Sequence, residues 1–416
     1  DDIARNVVEK IQATLSEESR AQFSRPGTTN LTALEHYLAG RELLRRPKTP
    51  DALERTIEEF ELAIDGDPAF AEASAGLCEA YLARYTSSRD AGSFDSAEGA
   101  CLRAASLDDS LGEVYAALGN LYRVAGRVEE AEFNLLKALE LMPNSAAIME
   151  ELGRNYRASK KLVLAEQTFR KAIEAEPASW AVYKSMGNFL FRTGRYTEAL
   201  PYYRQVITLE GDNSSGYNNL AVTNYMLGNF DDANFIWSNA INDSPSKLSY
   251  TNYANSLYYT AEYERSADMY AKALAIDEND HRVWQGYAAS LRFVDGREQQ
   301  TAAAWKRAIE LAEASLSINP DDTEALSHIA VSYARVGNTQ LATRALERAV
   351  SLGWENPNYS FYVALAYHLL ERSDDAIREL ERAVLMGFPR ALIEWDPDFQ
   401  RLAANQRYVA LLENGR

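Results

Sequence analysis

The amino-acid sequence predicts an all-α fold, a solenoid of about ten antiparallel helix pairs laid side by side with capping helices at both ends. Three observations predict it. A period of 34 residues recurs along most of the chain, small residues and a proline recur at fixed places within that period, and 46% hydrophobic with 11% aromatic residues supply ample core.

The period is clearest when aligned on proline. Pro143 and Pro177 stand 34 apart; before the first run Tyr115, Leu118, Gly119, Tyr122, Ala131, Leu135 and Ala138, and before the second run Met149, Leu152, Gly153, Tyr156, Ala165, Phe169 and Ala172. Large apolar residues spaced three and four apart make one face of a helix. Gly or Ala at repeat positions 8 and 20 lets two helices approach closely, and proline at position 32 stops the second helix before the next begins.

Taken in order, residues 1–30 predict a lone amphipathic capping helix, with Ile3, Val7, Val8, Ile11 and Leu15 on one side, followed by a linker. The array proper is expected over 31–389. Its first unit, Leu31 to Pro68, has a long turn containing Pro47 and Pro50, and its second, Ala71 to Asp109, carries about seven extra residues at Thr86 to Ser93. The third and fourth are the units around Pro143 and Pro177. Trp180, Tyr183, Met186, Gly187, Ala199 and Tyr203 mark the fifth; Tyr217, Leu220, Ala221, Ala233 and Trp237 mark the sixth. Tyr250, Tyr253, Ala254, Leu257, Ser266 and Tyr270 fit after a one-residue slip, and Trp284, Tyr287, Ala288 and Leu291 open the eighth, which lengthens around Asp295 to Ala302. Both insertions are expected as loops on one edge. Two more units follow, marked by Leu326, Ile329, Ala330 and Tyr333, then by Val363, Ala364 and Tyr367. Residues 390–416, with Trp395, Phe399, Leu402, Tyr408, Leu411 and Leu412, predict a closing cap.

These residue types at positions 4, 7, 8, 11, 20, 24, 27 and 32 resemble the tetratricopeptide repeat. That resemblance implies a right-handed superhelix whose concave surface is lined by the first helix of each pair, mainly at positions 2, 5, 9, 12 and 13, and a non-catalytic role in gripping a protein or an extended peptide. At the termini, Asp1 to Lys10 and the run Asp396-Pro397-Asp398-Phe399 with Arg407-Tyr408 are similar to the flanks of such regions in large bacterial signalling proteins, where a cyclase, a kinase or a winged-helix regulator precedes the repeats. A start at Asp1 suggests a piece of such a longer chain.

Composition excludes other classes. With 43 Lys and Arg against 61 Asp and Glu, the net charge is −18, a field that repels phosphate backbones and anionic lipid, so neither nucleic acid nor a membrane is the expected partner. His36, His281, His328 and His368 show no zinc spacing, and no Gly-rich phosphate loop or Gly-x-Ser-x-Gly elbow occurs, so no cofactor, metal or catalysis is expected. The pairs Asp231-Asp232 and Asp374-Asp375 fall where a second helix begins and favour its positive end. Asn30-Leu31-Thr32 and Asn213-Ser214-Ser215 match the glycosylation triplet, a pattern that chance produces often.

Cys78 and Cys101 occupy positions 8 and 24 of the second unit, pointing between the paired helices. Two buried thiols are the first reading; a disulfide across that pair is the alternative.

The groove positions show what composition hides. The third unit offers Asn120 and Arg123, the fourth Arg154 and Arg157, and the fifth Lys184, Asn188 and Arg192. Asn218, Tyr225 and Met226 follow in the sixth, then Asn255, Tyr258 and Tyr259 in the seventh. Arg forks suit an acidic segment or a terminal carboxylate, Asn grips a peptide backbone at both its N–H and C=O, and Tyr adds contact area at little entropic cost. Glu113, Glu150 and Glu151 stand nearby, so a salt-bridged solvated face is the competing reading. Self-association through end faces or the outer surface, using residues such as Tyr202, Trp305 and Trp354, is the alternative function.

Overall fold

A computed structural model describes residues 27–45, 49–88, 90–211, 214–243 and 245–413. The expected N-terminal capping helix lies outside them. Among the described residues there are 22 α-helices, one 3-10 turn and no strand. The first five pairs are α1 (Leu31–Arg45) with α2 (Pro50–Gly66), α3 (Ala71–Ser88) with α4 (Ala91–Leu107), α5 (Gly112–Val124) with α6 (Val128–Leu141), α7 (Ala146–Ala158) with α8 (Leu162–Ala175), and α9 (Trp180–Arg192) with α10 (Tyr196–Leu209). The next five are α11 (Ser214–Met226) with α12 (Phe230–Asp243), α13 (Lys247–Tyr259) with α14 (Tyr263–Ile276), α15 (His281–Leu291) with α16 (Glu298–Ile318), α17 (Thr323–Arg335) with α18 (Thr339–Leu352), and α19 (Pro357–Leu369) with α20 (Ser373–Leu385). The chain divides into two compact units, residues 1–185 and 186–416.

Each pair closes where the sequence places a small residue opposite a large one. A Cβ added to Gly119 would stand 2.6 Å from Leu135 Cγ, one on Gly153 2.8 Å from the Phe169 ring, and one on Gly187 2.8 Å from the Tyr203 ring, each time position 8 against position 24. Ala221 and Trp237 share a core cluster at the same two positions. Cys78 and Cys101 occupy these places in the second pair with their Cα atoms 5.2 Å apart, and the structure joins them in a disulfide rather than leaving two thiols. Position 15 ends the first helix in the left-handed region, where Gly126 has φ +76° with open space around its Cα.

Within each unit the first helices touch one another along the stack: α1 meets α3, α3 meets α5 and α5 meets α7 in one unit, and α11 meets α13, α13 meets α15 and α15 meets α17 in the other. Second helices touch mainly their own partner and the next first helix. Side chains on the free face of the first helices therefore form the inner surface of each unit.

The two insertions do not form the expected loops. The extra residues near Thr86 to Ser93 lengthen both helices of the pair, to 18 and 17 residues, because Asp90 caps α4 by accepting the Ser93 N–H at 2.9 Å and leaves only a short break. The extra residues of the eighth unit likewise extend α16 to 21 residues.

The C-terminal segment folds as α21 (Arg390–Glu394), a 3-10 turn at Phe399–Leu402 and α22 (Gln406–Glu413). Phe399, Leu402 and Tyr408 are buried in one cluster with Leu365, Leu380 and Phe388. The segment also reaches back along the stack, where the exposed Trp395 meets Phe230 edge-on at 6.0 Å.

Gly119→Ala is expected to cost about 1–3 kcal/mol through overpacking against Leu135, and Gly126→Ala about 1 kcal/mol through backbone conformation alone. Urea unfolding followed by circular dichroism measures both. An unchanged midpoint for Gly119→Ala contradicts the close approach.

Candidate functional site

Two hollows lie on the inner surfaces, one in each unit. The first, of about 330 Å³, is walled by Leu82, Val124 and Ile148 and carries Glu79, Thr86, Asn120, Arg123, Glu151 and Arg154 as its polar groups. Here the structure places two of the basic residues expected to grip a ligand against glutamates. Arg123 Nε stands 2.8 Å from Glu151 Oε2, and its Nη2 donates to Asn120 Oδ1 at 2.7 Å. Arg154 donates to Glu150 at 2.9 Å, to Glu151, and to the Ser185 hydroxyl at 3.1 Å. Burial pushes the Glu150 carboxyl up against the pull of Arg154. Arg123 and Arg154 are thus bound to carboxylates one turn or one repeat away, the arrangement offered as the competing reading of this face.

The other basic and amide positions are more dispersed. Arg157 is half-buried, and Lys184 lies over the Trp180 ring with its ammonium 4.8 Å from the centroid. In the second unit, Arg192 is exposed, and Asn188 accepts the Tyr203 hydroxyl at 2.9 Å. Asn218 accepts from the Trp237 indole and from Asn252, each at 3.4 Å. These two amides therefore serve the stack itself as well as its surface.

The second hollow, of about 520 Å³, gathers Tyr225, Met226, Asn255, Tyr258 and Tyr259 from the sequence-predicted set. Tyr225 stands edge-on to Tyr259 at 5.7 Å, and Tyr259 stacks on Phe230 at 5.2 Å. Asn255 accepts the Tyr270 hydroxyl. Tyr362 completes the aromatic wall and lies against His328, ring centroids 3.8 Å apart, while His328 is buried with Gln285 on its ring nitrogen. Desolvation lowers the His328 pKa well below its ordinary value and raises the Tyr362 hydroxyl to about 12.

The groups that sequence reasoning missed come from the C-terminal segment and the first helices it meets. Arg292 donates to both carboxylate oxygens of Asp398 at 2.9 Å and to the Tyr258 hydroxyl at 3.0 Å, and Arg335 donates to Asp398 as well. Arg292 and Arg335 occupy positions 12 and 13 of the eighth and ninth pairs, the same groove positions read in earlier pairs, so extending that reading would have found them. Asp396 is 4% exposed and lines the hollow. Among the described residues its carboxylate accepts one hydrogen bond, from the Asp398 N–H at 2.9 Å. Burial and the neighbouring Asp398 charge push Asp396 up to about 7, outweighing the attraction of Arg292 and Arg335. Asp398 is also buried, which raises its pKa, but the two guanidinium groups prevail and hold it below the usual range.

Two aromatics expected to be free for self-association are not. Trp305 is buried with Ala288 and Ala304, because the long α16 turns it into the pair. The Trp354 indole donates to Ser360 at 2.7 Å, and the Arg382 guanidinium lies 4.4 Å from its ring centre. The carboxylate pairs Asp231-Asp232 and Asp374-Asp375 lie in the first turns of α12 and α20. Among the described residues no helix is long and apolar enough to cross a membrane.

Stacked helix pairs closed at a small residue define a helical-repeat protein. Tetratricopeptide repeats match residues 112–145, 185–240 and 328–391. Among solved structures, one with a TM-score of 0.50 agrees on the fold. A human IFIT1 dimer with PPP-AAAA is 17% identical with a TM-score of 0.50, the match covering 77% of this chain and 72% of that one. Pseudomonas aeruginosa pilF is 21% identical with a TM-score of 0.42, over 51% and 93% of the two chains. YrrB, described as a TPR protein with an unusual peptide-binding site, is 21% identical with a TM-score of 0.36, over 44% and 94%. Among curated proteins none matches.

Because the folded-state pKa of Asp396 lies above its ordinary value, its ionised form costs the folded state free energy; the cost is absent below about pH 4, grows as pH rises, and is complete above about pH 7. Asp396→Asn, which keeps an acceptor for the Asp398 N–H, is therefore expected to raise the melting temperature at about pH 8 and leave it little changed at about pH 4.5. Thermal melts at the two pH values measure this, and an equal effect at both would contradict the buried charge.

Proposed function

We propose that the chain is a protein- or peptide-binding scaffold, a tetratricopeptide module of a larger bacterial signalling or regulatory protein, whose inner surface grips an extended polypeptide. Tetratricopeptide repeats bind proteins and peptides. The observation that supports the reading here is the first hollow, where hydrogen-bonding groups from α3, α5 and α7 stand side by side above an apolar floor. Such a floor accepts side chains, while the amide and the guanidinium groups orient a backbone or a carboxylate.

An acidic segment or a terminal carboxylate suits this surface by exchange. Glu151 sits between Arg123 and Arg154, and a ligand carboxylate taking its place would keep both guanidinium groups paired while gaining contact with Leu82, Val124 and Ile148. The exchange costs little net charge pairing, so apolar contact decides affinity.

Self-association is the competing function, and one observation favours it: Phe133, Val163 and Phe235 on the second helices α6, α8 and α12 are 66%, 71% and 71% exposed.

One experiment separates the two. A photo-activated cross-linking residue placed at Ala116, which lines the first hollow, is expected to capture a polypeptide in cells, and Arg154→Glu to reduce that capture with the circular dichroism melt retained. The same probe at Phe133 is expected to stay unlinked. Capture of a second copy of this chain from Phe133, with none from Ala116, would replace the scaffold reading by assembly.

A further inference from the structure

We propose that the hollow of the second unit is a binding site for an organic ammonium group, with the Asp396 carboxylate as counter-ion and tyrosine rings as walls. This goes beyond the polypeptide groove, lies in the other unit and stands without that reading.

The walls come first. Tyr225 and Tyr259 have ring centres 5.7 Å apart at 67°, and Tyr258 and Tyr259 have centres 5.7 Å apart at 89°. Rings set nearly perpendicular to each other form the sides of a box, and Tyr362 lines the same space from α19. A cation in such a box meets the electron-rich faces of several rings at once, an attraction that grows when water is excluded. At about 520 Å³ the hollow is of the size that holds a small molecule or a long side chain.

The charges then fix the sign of the ligand. Four charged residues line the hollow: Arg282, Arg335, Asp396 and Asp398. Arg282 is met by Asp280 at 2.9 Å and by Glu324 at 3.1 Å, and Arg335 and Arg292 both bind Asp398, a trio with one net positive charge that attracts Asp396 without a hydrogen bond to it. Asp396 alone among them lacks a hydrogen-bonded cation, although it is 4% exposed. A buried carboxylate left in that state costs the fold, and a ligand that supplies a positive group removes the cost. An anion would gain no such relief, and a neutral ligand would leave the carboxylate as it is.

The ammonium could arrive on a free amine or on a lysine side chain of a partner. Isothermal titration of the full chain at about pH 8, where Asp396 is ionised, with choline, n-butylammonium and the capped peptide acetyl-Gly-Lys-Gly-amide distinguishes the sources. Saturable binding of at least one is expected. The neutral carbon isostere of choline, 3,3-dimethylbutan-1-ol, is expected to bind about an order of magnitude more weakly than choline or not at all. Asp396→Asn is expected to reduce that preference, and the choline-isostere comparison on the unaltered chain holds even where the variant fails to fold. Binding of the peptide alone assigns the site to a partner's lysine. No saturable binding by any of the three cations at millimolar concentration, or equal binding of choline and its isostere, overturns the proposal.

Discussion

The architecture depends on one contact, repeated: the backbone of the first helix at position 8 lies against the residue at position 24 of the second. Where glycine stands, Leu135, Phe169 or Tyr203 occupies the space a Cβ would need. In the second pair the same two positions carry bonded cysteines. Dispersion forces reward this only at short range, so the pair locks in one register. Within each unit, locked pairs then stack through their first helices, which sets the free faces of those helices side by side on that unit's inner surface.

Charge on that surface follows from the same geometry. A chain of net charge −18 nonetheless places arginines at inner positions of successive first helices, and the structure pairs four of them with acid: Arg123 and Arg154 with Glu150 and Glu151, Arg292 and Arg335 with Asp398. Half-buried arginines need such partners, since a guanidinium withdrawn from water without one is costly. In the second unit the partner comes from the C-terminal segment, which turns a terminal cap into part of the inner surface. Asp396 is carried in with it and is left with a backbone N–H as its hydrogen-bond donor.

The helix pairs and the closing cap were legible because they rest on local periodicity: apolar residues three and four apart, a small residue at position 8, a turn near position 15. The disulfide was legible only as an alternative, since spacing places Cys78 opposite Cys101 but does not form the bond. The insertions were misread as loops because helix continuation depends on capping chemistry at Asp90, which a count of extra residues ignores. The Arg292–Asp398 pair spans 106 positions. No repeat pattern predicts which distant element a cap will touch, so the acidic groups of the second hollow stayed invisible, as did Tyr362, while Tyr225, Tyr258, Tyr259 and Asn255 were named from their repeat positions alone.

Transplanting the cysteine pair tests the central contact most directly. In a Cys78→Ser, Cys101→Ser background, Gly119→Cys with Leu135→Cys places two thiols at positions 8 and 24 of the third pair, where the Cβ on residue 119 would lie 3.3 Å from the backbone nitrogen of residue 135. Mild oxidation followed by a free-thiol count is expected to show neither thiol remaining, with the chain still monomeric under non-reducing electrophoresis. Two free thiols in a folded chain would contradict the shared register on which the inner surface depends.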